Sequence, residues 1–193
     1  MSSVVEICNM ALSKAGITDS IMNIDTEQST SALWCRINFA PARDTVLRDY
    51  PWNFAIKTVT LSPLDYEHPD GKIVYLYPSD CLNVINVSNA SYSIGIIGIG
   101  ADMRKVITTD SDQAQVQYIA RITDPNIFDP IFISALSWYL ASELALSVGG
   151  NNGQRAQMAF QQYEHIKSKA QRASIAEGKV TSYANSEFMS ARS

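Results

Sequence analysis

Three carboxylates, Asp65, Glu67 and Asp70, fall close together in one short stretch. Paired carboxylates serve glycoside hydrolysis as acid and base, and clustered ones hold calcium. Their setting, ahead of and within the turn sequence Pro69-Asp70-Gly71, has a plainer meaning, which is a solvated loop. The two histidines, His68 and His165, are far apart and have no His or Cys neighbours at ligand spacing, so no metal site is expected. Gly95-Ile96-Ile97-Gly98-Ile99-Gly100 reverses the glycine order of a dinucleotide-binding turn and no periodic helix follows it. That run predicts a bulged or closely approached strand and no cofactor. A Gly-x-Ser-x-Gly elbow, a P-loop and a Cys–His constellation are all missing from the sequence, so no catalytic residue is assigned. Tyr75, Tyr77, Tyr92 and Tyr118 fall on strand-like segments and offer faces on which bases stack, but the net charge of -4 favours packing or a protein interface. Asn86-x-Ser88 and Asn89-x-Ser91 match the N-glycosylation pattern, which has no use without secretion.

Charge and composition narrow the classes further. The acidic balance argues against tight nucleic-acid binding, which draws its affinity from clustered Lys and Arg. Residues 1–150 hold 9 basic and 16 acidic side chains and residues 151–193 hold 6 and 3, so the chain is acidic for most of its length and basic at its end. With 193 residues and 46% hydrophobic content, one well-buried core is expected. Cys8, Cys35 and Cys81 are odd in number and widely spaced in apolar contexts, which predicts reduced, buried thiols in a cytosolic product. No basic region precedes an apolar run at the N-terminus, so no signal peptide is expected. The most apolar segment, residues 131–148, is interrupted by Ser134, Ser137, Ser142, Glu143 and Ser147, and reads as a core helix too polar to span a membrane.

The elements that carry these residues follow from periodicity. Ser3-x-x-Glu6 is a capping box, and the helix it opens runs at 3.6-residue spacing to Gly16. A second helix starts near Ser29 with Ala32, Leu33, Ile37 and Ala40 on its apolar face, and Pro41 predicts a kink. At Tyr50-Pro51-Trp52-Asn53-Phe54 the period changes to two, and the aromatic side chains there are expected to be buried where helix meets sheet. Strands are predicted over 54–61, 72–77, 82–88, 92–99 and 114–120. Asp129 and Pro130 form the N-cap and first position of a third helix, and the glycine-rich turn after residue 148 leads to a last helix ending before Gly178. The predicted fold is α+β. A four-helix bundle is built from both chain ends (3–50 and 124–178), a small, mostly antiparallel sheet is inserted at 54–122, and a flexible tail covers 179–193. Residues 1–178 form a single domain.

Four stretches occur in an order that resembles the tail tubular protein A family of tailed bacteriophages. They are Val5-Glu6-Ile7-Cys8-Asn9-Met10-Ala11-Leu12-Ser13-Lys14-Ala15-Gly16, Leu47-Arg48-x-x-Pro51-Trp52-Asn53-Phe54-Ala55, Tyr77-Pro78-Ser79-Asp80-Cys81-Leu82, and Asp129-Pro130-x-Phe132 ahead of Trp138-Tyr139-Leu140-Ala141. The resemblance covers residues 4 to about 170, and order and spacing carry it, since each stretch is a packing signature without reactive chemistry. Its framework residues are Tyr50, Pro51, Trp52, Phe54, Pro78, Asp80, Asp129, Pro130, Phe132 and Trp138.

The resemblance implies a structural adaptor of the virion neck, a homo-oligomeric ring that is twelve-fold by family analogy. Such a ring docks beneath the portal protein, carries the tail nozzle and lets DNA pass through its lumen without tight binding. It has no membrane partner, and it is made in the host cytoplasm. In the C-terminal segment, Tyr183, Phe188 and Met189 are expected to anchor in a partner, with Lys179 and Arg192 complementing acidic surface. The alternatives from other classes are a hydrolase of surface polysaccharide using Asp65, Glu67 and Asp70, and a generic protein-binding module.

Overall fold

Ser3 opens the first helix with both halves of the capping box. Its Oγ accepts the Glu6 N–H at 3.1 Å, while Glu6 Oε2 accepts the Ser3 N–H at 2.8 Å. This helix, α1 (Val4–Lys14), ends in a left-handed turn at Gly16, φ +72°, where the Ile17 N–H reaches back to Leu12 O at 2.9 Å. It is followed by α2 (Thr30–Asp49), strands β1 (Ile56–Thr60), β2 (Ile73–Leu76), β3 (Cys81–Val87), β4 (Tyr92–Ile97), β5 (Arg104–Thr109) and β6 (Gln115–Ala120), then α3 (Pro130–Ser147) and α4 (Gly153–Ser190). The structure, a computed structural model, describes residues 3–66, 68–88, 90–98, 102–148 and 152–190, with side chains through Arg172. The chain divides into two compact units, Met1–Val46 with Asp124–Ser193, and Leu47–Thr123.

In the first unit α3 is the helix against which both α1 and α4 pack. Asp129 Oδ1 accepts the Ile131 N–H at 2.7 Å, and Pro130 occupies the first turn, where its missing N–H costs nothing. Phe132 is fully buried and meets Phe128 edge-on at 4.9 Å. From α4, Ala156, Ala159, Tyr163 and Ala170 are buried, and Tyr139 of α3 meets the Tyr163 ring at 5.2 Å. The serines of α3 return their hydroxyls to their own helix: Ser137 to Ser134 O, Ser142 to Tyr139 O and Ser147 to Glu143 O. By length and composition alone this 18-residue helix, mean hydropathy 1.2, is apolar enough to cross a membrane, which corrects the expectation that its polar residues exclude that. Half of the stretch is buried inside the fold.

The second unit holds two three-stranded sheets, in the orders β1-β6-β3 and β2-β5-β4, with every pairing antiparallel. They share one core. Tyr75 and Ile107 come from the second sheet, and Val84, Val87, Val116, Tyr118 and Ala120 from the first. The inward residues Val84 and Val87 are three apart, where strict alternation would space them by two. A bulge between Val84 and Asn86 supplies the extra residue. Tyr75 closes the core by donating its hydroxyl to Ser111 O at 2.7 Å.

The class is mixed α+β, but the expected four-helix bundle with one inserted sheet and a free tail is overturned. Two sheets are present, because β5, a strand not among those expected, lies between the glycine run and β6 and pairs with both β2 and β4. No packing as extensive as that of α3 joins α2 to another helix among the described residues. The buried apolar residues of α2 are Ala32, Cys35, Phe39, Ala42, Val46 and Leu47, while Leu33 and Ile37 of the predicted face are 46% and 51% exposed. Helix α2 continues through Pro41, and α4 continues past Gly178 to Ser190 in place of the predicted stop. An interior glycine costs about 1 kcal/mol relative to alanine, which weakens a helix without ending it.

Candidate assembly surface

The framework residues of the four stretches hold turns, caps and strand ends. Trp52 is 4% exposed, with Tyr50 edge-on at 5.0 Å, and its carbonyl accepts the Ala55 N–H at 2.8 Å as the chain turns into β1. Tyr50 and Phe54 are half-buried and Pro51 is exposed. Pro78 O accepts the Cys81 N–H at 3.0 Å, which forms the turn between β2 and β3. Beside it, Tyr77 takes the Lys105 ammonium over its ring at 3.8 Å from the centroid. Trp138 is half-buried beneath Lys14, whose Nζ lies 4.9 Å from the ring centroid. The side chains of Lys179, Tyr183, Phe188 and Met189, and all of Arg192, lie outside what is described.

Asp80, in the turn ahead of β3, ties β1 to β6. Its carboxylate accepts from Lys57 Nζ of β1 at 2.7 Å and from the Tyr118 hydroxyl of β6 at 2.8 Å, and its carbonyl accepts the Arg121 N–H at 2.7 Å. Burial would raise its pKa, but the Lys57 and Tyr118 hydrogen bonds and the Lys57 charge outweigh that and hold it below the ordinary carboxylate value. The same contact acts in reverse on Tyr118, whose hydroxyl is pushed up by burial and then by its bond to Asp80. No local signal announces this cluster, because residues 57, 80 and 118 meet only in the folded sheet. Since Lys57 and Asp80 are 47% and 35% exposed, Asp80→Asn is expected to cost only about 1 kcal/mol at neutral pH. A depressed carboxyl contributes stability above its unfolded pKa of about 4 and loses it as pH falls through the lower folded value. The gap between wild type and variant in urea titrations is therefore expected to close below about pH 4, and a gap unchanged down to pH 2 would contradict this role.

Of the residues weighed for hydrolysis, Asp65 and Asp70 have different described neighbours. Asp65 lines a shallow depression with Tyr66, Asp102 and Arg104, Asp70 lies 3.9 Å from His68, and Glu67 lies outside the described residues. Among the described residues no three His, Cys, Asp or Glu side chains converge as a metal site. All three cysteines are free, with Cys8 and Cys35 buried and Cys81 half-buried. The hydrogen bond that the Cys8 thiol donates to Cys35, and then burial, push the Cys8 thiol up.

The surface that stands out is the outer strand of the second sheet. Tyr75 of β2 and Ile94 of β4 both pair with Ile107 of β5, so the three side chains share one face. Tyr75 and Ile107 are fully buried, yet Ile94 is 45% exposed, and its same-face neighbours Tyr92 and Ile96 are 38% and 69% exposed. The core face of the sheet thus runs on past its cover. Periodicity predicts this strand but not its exposure, which depends on β5 being the middle strand. Among the described residues β4 has β5 on one side and no strand on the other, and Tyr-Ser-Ile-Gly-Ile-Ile carries none of the charges or prolines that usually guard a free edge. In comparisons with protein-family models and with curated proteins, the chain matches none.

Proposed function

We propose that the chain is a non-enzymatic structural adaptor of a tailed-phage particle, a subunit whose copies form a ring between portal and tail and leave a lumen for DNA. The observation that carries the assembly part is the unguarded β4 edge with Tyr92, Ile94 and Ile96 exposed on the core face. A strand from a neighbouring copy added there would complete the ladder and cover these side chains, as strand addition does in other assemblies. The order of the four stretches, which resembles that of the tail tubular protein A family, supports the particular role, with the portal protein and a tail nozzle as partners. The net charge of -4 suits a conduit that DNA crosses without being held.

Sedimentation velocity of the purified protein is expected to show a discrete ring-sized species that grows with concentration, and filter binding at physiological salt is expected to retain duplex DNA only weakly. A monomer at every concentration, or sub-micromolar DNA retention with a steep salt slope, would contradict the proposal.

A further inference from the structure

The end of α1, the middle of α3 and the first turns of α4 enclose a half-open cleft of about 430 Å³, lined by Lys14, Gly16, Trp138, Arg155, Met158 and Gln162. Its two charged groups are both cations. Lys14 is half-buried, donates from Nζ to Ser137 Oγ, and lies over the Trp138 ring. Burial lowers its pKa to about 8, because a hydroxyl and an indole face do not replace the water or counter-ion that an ammonium needs. The nearest acid on its own helix is Glu6, which lines a separate depression beside Lys14. Glu6 is eight residues away, about 12 Å along the axis, and closes the capping box.

Arg155 is exposed but anchored at its tip. Its Nη1 donates to Gly16 O at 3.2 Å and Ala15 O at 3.5 Å, on the unpaired carbonyls at the end of α1. A Cβ at position 16 would meet the guanidinium, the movable end of a flexible side chain, so it is the left-handed turn that requires glycine there. Three elements therefore bring two cations to a pocket walled by indole and thioether, with no carboxylate among its described lining residues.

We propose that this cleft binds a carboxylate carried on an apolar or aromatic group, with Lys14 and Arg155 taking the charge and Trp138 and Met158 the apolar body. Its volume falls in the range of small-ligand pockets, and a guanidinium and an ammonium lining one pocket are a donor set suited to a carboxylate. The same chemistry is offered by a chain-terminal carboxylate and by an acidic side chain flanked by an aromatic residue.

The test is an NMR titration of the Lys14 side chain in the intact protein with three probes. N-acetyl-phenylalanine has a terminal carboxylate, N-acetyl-aspartyl-phenylalaninamide has a side-chain carboxylate, and N-acetyl-phenylalaninamide has neither. At saturation at least one acid is expected to raise the Lys14 pKa from about 8 by about one unit or more. That shift corresponds to about tenfold tighter binding to the ammonium than to the amine. The neutral amide is expected to leave it unmoved, and the tighter of the two acids identifies the kind of carboxylate. Arg155→Gln, at an exposed position, is expected to weaken the acid about tenfold or more while the protein still folds. Equal binding of acid and amide, no binding of any probe, or saturating acid that leaves the Lys14 titration in place would overturn the site.

Discussion

Replacing Trp52 with alanine is expected to cost about 3 to 5 kcal/mol, the range for emptying a large aromatic site. The side chain is 4% exposed, its ring receives Tyr50 edge-on at 5.0 Å, and its backbone closes the turn that delivers the chain to β1. Pro51 fixes its own φ and keeps Tyr50 out of the helical region, so the local backbone cannot collapse into the space that alanine leaves. Urea unfolding followed by far-ultraviolet circular dichroism measures the loss, and Trp52→Phe should recover much of it. A loss for the alanine variant well under about 1 kcal/mol would show that the site is not a packed one.

The second large effect is on assembly. Ile94→Glu with Ile96→Glu is expected to abolish self-association while moving the unfolding midpoint little, because the two side chains are 45% and 69% exposed in the single chain. Two carboxylates on the free edge of β4 would repel those of a second copy and would have to be desolvated to enter the ladder. Sedimentation velocity and thermal melts on the same samples separate the two effects. A variant that still forms the wild-type species would remove β4 from the interface, and a collapsed melting temperature would show that the isoleucines belong to the subunit's own core.

Features encoded within a few residues were legible in the sequence. The Ser3–Glu6 capping box, the Gly16 stop, the Asp129-Pro130 helix start and the Pro78 turn all appear where local chemistry places them. Strand β5 was not legible because Arg-Lys-Val-Ile-Thr-Thr does not alternate. Its last four residues are all buried, as in a middle strand covered on both faces. The buried face of α2 was misassigned because Leu33 and Ile37 form an apolar stripe beside that of Cys35 and Phe39, and only tertiary packing chooses between them. The two surfaces of most interest, the β4 edge and the Lys14 cleft, were invisible for the same reason. Each is defined by what adjoins it in space, and residues 14, 138 and 155 share no sequence neighbourhood.

The most direct measurement on the adaptor reading is cryo-electron microscopy of the particle that carries this chain, with the chain located by its density or by a fused label. The expected result is a ring of copies at the neck, between portal and tail, with β4 of each copy at the contact with its neighbour and an open lumen. A chain absent from the particle, or present as isolated copies away from the neck, would contradict it.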